Sequence, residues 1–175
     1  VPDRNEIAAC VLEPHFDAVR DTFAAFEPEP GVPLTKLGKV KLEVTDRARD
    51  AERHYARCRE DGMLIQLAPA TAEDLELDQV VALISHEMGH ATDFLYPGSW
   101  VLMEPRSPRR RVVWIGGRDD RKARQWRQVW LERDTDEVEW AADAIAKAVT
   151  GLEIGYCGSC MVQCFGGKPR PAGLR

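Results

Sequence analysis

The stretch ISHEMGHATDF, residues 84–94, constrains this chain more than any other. His86, Glu87 and His90 stand inside an otherwise apolar helical run. Val80, Val81, Leu83 and Ile84 lead into them, and Met88, Gly89, Ala91 and Thr92 carry no charge. A core helix cannot hold three titratable groups together unless something compensates their desolvation. The fold must therefore enclose this helix and also bring it a partner. Positions i and i+4 lie one turn apart on one helix face, so both imidazoles can reach a single zinc ion at about 2.0–2.1 Å. Glu87 projects beside that position and can take a proton from a water that the ion acidifies to a pKa of about 7. The competing interpretation is a solvated surface helix, and the uncharged neighbours argue against it.

A hydrolytic zinc site needs one more protein ligand and an open position. The candidates are Asp93, Cys58, the C-terminal cysteines, Glu137 and Glu139. Asp93 follows His90 by three residues, and its short side chain is too far along the helix to reach the ion well. It is read as a carboxylate supporting the site or the helix end from behind the ligands. EWAAD, 139–143, sets Glu139 and Asp143 one turn apart. One of the two can bind metal while the other accepts the free N–H of a ligating histidine and fixes its tautomer. Ala141 and Ala142 let that helix come close. Glu137 is about 200° round the helix from Glu139, so both cannot face one ion. If Val138, Ala141, Ala142, Ile145 and Val149 mark the buried stripe, Glu139 borders it beside Ala142 and Asp143. Glu137 then sits in the first turn, where an acid simply favours the helix dipole.

HEMGH followed 49 positions after His90 by EWAAD resembles the gluzincin metallopeptidases, whose pattern joins H-E-x-x-H to a glutamate ligand on a later helix. The small size looks most like the minigluzincins and related phage-type peptidases, over about residues 38–150. This resemblance implies Zn²⁺ held by His86, His90 and Glu139, with Glu87 as general base and acid and Asp143 orienting a histidine. It implies peptide-bond hydrolysis, and an extended peptide laid beside an edge strand, here 63–67. No residue is assigned to the oxyanion; His54, Tyr55 and Tyr156 are candidates. Two alternatives remain: a non-catalytic zinc-fold regulatory module, and an amide hydrolase with a cysteine as third ligand.

The expected fold is α+β, a small and mostly antiparallel sheet packed on the active-site helix, with the glutamate helix behind. Ile7, Val11, His15, Ala18/Val19 and Phe23 space like the inner stripe of a helix over 5–26, with Pro14 a point of interruption. Strands are expected at 38–44 and 62–69, and 49–61 is left open between strand and loop. The motif helix should start near Asp78 and stop at LYPG, 95–98. VVWI, 112–115, is a candidate strand, and helices are expected at 120–133 and 137–150. Residues 1–155 form one domain on this reading, and 156–175 an irregular glycine- and cysteine-rich tail.

The 175 residues suffice for one domain with a real core. The net charge of −5 argues against a general nucleic-acid binder. No run approaches the length of a membrane helix, and the opening VPDRNEIAAC lacks a signal pattern. Five cysteines, an odd count, fit a reducing compartment. The expectation is a cytoplasmic protein acting on a peptide or protein, without nucleic-acid or membrane partners. Cys157, Cys160 and Cys164 supply only three of the four ligands a structural zinc site needs, and are read as packed thiols. The basic loop RSPRRR, 106–111, is read first as solvated and only secondarily as facing an anionic partner.

Overall fold

A computed structural model describes residues 1–46 and 56–152, with the backbone of 154–157 and 162–165. The architecture is α+β. Helix α1 (Arg4–Ala25) opens on a reciprocal box in which Asp3 accepts from the Glu6 N–H and Glu6 accepts from the Asp3 N–H. It runs through Pro14 without a break, because the amide that proline lacks lies on the exposed side. Its inner stripe is Ala8, Leu12, Phe16, Val19 and Phe23, while Ile7 and Val11 are about half exposed (55% and 49%). The chain offers two stripes one residue apart, and the one carrying Leu12 and Phe16 has more apolar surface to bury than the one carrying Val11 and His15.

Strands β1 (Lys41–Val44), β2 (Ala56–Cys58) and β3 (Leu64–Leu67) form a sheet in the order β1-β3-β2. β1 runs parallel to β3 and β2 antiparallel to it, so this sheet is mixed. Register puts Leu42 and Cys58 beside Ile65, and Val44 and Ala56 beside Leu67, on the core face. The other face carries Glu43, Gln66 and Arg57 in one row. Gln66 accepts from Arg57 Nε at 2.6 Å and donates to Glu43 at 2.5 Å. That row spans all three strands and satisfies the amide of Gln66, which is nearly buried.

After a short helix α2 (Ala70–Asp74), helix α3 (Leu77–Leu95) runs through the centre. It starts directly after Glu76, whose carboxylate and the Gln79 side chain cap each other's amides, so Asp78 falls in the first turn and is not the cap. Residues 79–93 are buried almost without interruption. The face of Val80, Ile84, Met88 and Ala91 belongs to the main core with α1, whereas His86, Gly89 and Asp93 point the opposite way. Strands β4 (Trp100–Met103) and β5 (Arg111–Trp114) form a hairpin, followed by α4 (Arg121–Leu131) and α5 (Thr135–Thr150). α5 is capped by Asp134 and closed by Gly151 in the left-handed region (φ 74°). Among the described residues no helix is long and apolar enough to cross a membrane.

Two further expectations change. The tail is not wholly irregular, because β6 (Ile154–Cys157) and β7 (Val162–Phe165) pair antiparallel and lie against α5 and α3. The strand at 63–67 is not an edge: both of its sides are occupied, and the edges of that sheet are β1 and β2. Sequence shows how apolar a strand is, but neighbours decide its rank in a sheet.

Candidate metal centre

α3 and α5 meet where their residues are smallest. A methyl group added to Gly89 would overlap the carbonyl oxygen of Ala142 and stand 2.9 Å from its carbonyl carbon. Glycine inside a helix costs about 1 kcal/mol relative to alanine, and here that cost lets two helix backbones touch. Ala141 and Ala142 are fully buried on the other side. This close approach carries Glu139 and Asp143 to the histidines.

His86 Nε2 and His90 Nε2 lie 3.1 Å apart, their rings near perpendicular. Glu139 Oε2 lies 2.9 Å from the first and 3.1 Å from the second. Asp143 Oδ1 is 2.6 Å from His86 Nδ1. If that nitrogen donates its proton to Asp143, the neutral ring of His86 turns a lone pair toward Glu139. With His90 Nε2 also unprotonated, three electron-rich atoms face one another at van der Waals distance or less, an arrangement that positive charge between them stabilises. Ligand atoms about 2.0–2.1 Å from a tetrahedral ion stand about 3.3 Å apart, close to the triangle found. The donor set therefore fits a metal ion, held by His86, His90 and Glu139.

The electrostatics agree. Burial alone would pull the His86 imidazole down, but Asp143, Glu139 and Glu87 outweigh it and hold the group well above its ordinary value. Burial pushes the Glu139 carboxyl up, and the two histidines more than reverse this, keeping it well below the usual carboxylate range. Glu87 differs: burial raises it, only partly offset by His86 and His90. Its side chain contributes no atom to the triangle, and the nearby backbone N–H of Cys58 lowers its carboxyl slightly.

The other candidates fall elsewhere. Asp93 does not touch the histidines. Its Oδ1 accepts from Trp130 Nε1 at 2.7 Å and its Oδ2 pairs with Arg133 at 2.6 Å, which ties α3 to the corner between α4 and α5. One turn beyond the ligands, its carboxylate meets the end of α4 before it can meet a ring. Glu137 lies in the first turn of α5, outside the triangle. The Cys58 thiol is also outside it. Burial and the charge of Glu87 push that thiol up, so it has little thiolate character to offer a metal. His54, Tyr55 and Cys160 lie outside the described residues, as do the side chains of Tyr156, Cys157 and Cys164.

Sequence reasoning missed three contributors: Gly89, the Cys58 amide and the Arg133–Trp130 clasp. Only Gly89 left a trace, as a glycine inside an otherwise good helix. No family model matches the chain, and no curated protein or solved structure matches it either.

Proposed function

We propose that this protein is a zinc-dependent peptidase of gluzincin type that works on peptide or protein substrates in the cytoplasm. The observation that carries the reading is the convergence of His86, His90 and Glu139 beside a buried glutamate that donates nothing to their triangle. A purely structural site has no use for Glu87, and burying an ionisable group without a role is costly. Zinc, when bound, supplies a Lewis acid that polarises the scissile carbonyl and brings the pKa of water to about 7.

The protein's own residues do the rest. His86, His90 and Glu139 fix the position of the ion, and Asp143 holds His86 in the tautomer that turns Nε2 inward. Glu87, whose carboxyl is raised by burial, takes the proton of the attacking water and returns it to the leaving amine. The Cys58 N–H nearby favours its charged form. Arg59 pairs with Leu64 across the sheet, so the alternation of an antiparallel ladder turns the backbone groups of Cys58 and Ala56 away from β3. Among the described residues that outer edge of β2 is unpaired; it runs beside Glu87, and it is the strand along which an extended substrate can lie.

The test is Glu87→Gln assayed on a broad peptide library with bound zinc measured in parallel. The expected result is unchanged zinc with cleavage reduced on the order of 10²–10⁴-fold. Wild-type protein that holds zinc yet cleaves nothing would instead make this a binding module. Zinc lost with Glu87 would make that residue structural.

A further inference from the structure

Among the described residues of this acidic chain, four arginines are gathered at one point. The turn between β4 and β5 carries Arg106, Arg109 and Arg110, and Arg111 opens β5. Elsewhere Arg4, Arg59, Arg118 and Arg133 each hold a carboxylate. Among the described residues none of the four turn arginines has an ion-pair partner, although Glu104 stands in the same turn. Arg106, Arg109 and Arg111 are exposed.

The turn is a built one. The Arg109 N–H donates to Ser107 Oγ at 3.0 Å, and Arg110 Nε donates to the Ser107 carbonyl at 3.2 Å. The Arg110 guanidinium then lies 4.7 Å over the ring of Trp140. Trp140 follows Glu139 on α5, so this stacking anchors the basic turn to the helix that carries the third ligand. Like charges brought together without counter-ions repel one another, and guanidinium groups match carboxylates in bidentate geometry.

We propose that the β4–β5 turn is a docking surface for an acidic segment of a protein substrate, flanking the segment laid across the His86–His90–Glu139 centre. The word substrate rests on the peptidase reading, whereas the docking does not. A polypeptide carrying a few carboxylates fits better than a nucleic acid, because a long polyanion would also meet the field of a chain with net charge −5.

The test is fluorescence anisotropy of a short labelled glutamate-rich peptide against its glutamine counterpart, using the full chain. The acidic peptide should bind about tenfold or more tightly, and lose most of that advantage as ionic strength rises to about 0.15 M, where the Debye length is about 8 Å. Arg106→Glu/Arg109→Glu/Arg111→Glu should abolish the preference, and the corresponding glutamine triple variant should weaken it partway. All three side chains are exposed, so the melting temperature checks that the fold survives. His86→Ala should keep the preference without zinc, so failed cleavage and failed docking are read separately. Equal binding of both peptides, undiminished binding by the charge-reversed variant, or tighter binding of an oligonucleotide of equal charge would each overturn the proposal.

Discussion

The two sides of α3 are held by different physics. Toward α1 the seam is made of large apolar side chains: Leu12, Phe16 and Phe23 share a core with Leu83, Ile84 and Met88. Toward α5 it is made of Gly89, Ala141 and Ala142, with His86, Asp143 and Glu139 in polar contact. The first seam is stabilised by buried area, which depends weakly on small displacements. The second needs backbone approach and directional contacts, both lost with a small shift. Stability is therefore concentrated on one side of the helix and chemistry on the other, so mutations on the two sides should separate them.

The largest effect is expected from Phe16→Ala, which should cost about 3–5 kcal/mol of unfolding free energy. Zinc affinity per folded molecule should stay within about twofold, by the independence of distant sites. Denaturant titration beside zinc titration checks this, and a large fall in affinity would show that the two seams are coupled.

Gly89→Ala tests the opposite side. Overpacking of this kind costs about 1–3 kcal/mol, and by pushing α5 outward it should withdraw Glu139 and weaken zinc more than it weakens the fold. Calorimetric zinc binding against melting temperature separates the two, and unchanged affinity would mean that the helices can yield elsewhere.

Asp143→Asn is smaller and sharper. An asparagine keeps the volume but loses the charge that orients His86, so zinc affinity should fall about 10–100-fold with little loss of stability.

The finest test is pH. In chelated protein the raised His86 contributes stability that is fully present below its ordinary value of 6.5 and lost as pH rises through its higher folded value. The lowered Glu139 has the opposite sign: its contribution is present above 4.5 and lost as pH falls through the depressed folded value. Metal-free stability from this pair should thus peak between those limits. Zinc must displace the His86 proton, so its affinity should instead rise with pH, about tenfold per unit for one proton released. A chelated protein whose melting is flat across this range would remove the charge coupling from the seam.

Much of the centre was legible in the sequence because it depends on local periodicity. His86 and His90 are one turn apart on any helix, and so are Glu139 and Asp143. Strong helix patterning located α3 and α5, and alternation located β1 and β3, to within a few residues. Less legible was whatever depends on comparing alternatives of similar local merit. On α1 the stripes through Val11 and Leu12 have the same spacing, and the larger apolar surface of the second decides once a partner surface is there to bury it. β4 was missed; WVLM is a strand by virtue of its pairing with β5.

The sequence by itself determined which residues could act together along each helix, and that charge within an apolar run demanded a partner. Tertiary structure alone decided which partner arrived. It gave Asp93 to Arg133 instead of to a histidine, placed β3 inside its sheet, and brought the Cys58 amide to Glu87. The reason is range. Helical spacing is set by backbone geometry within one turn, whereas contacts 30 or more residues apart follow from which surfaces bury best together, and no local pattern encodes that competition.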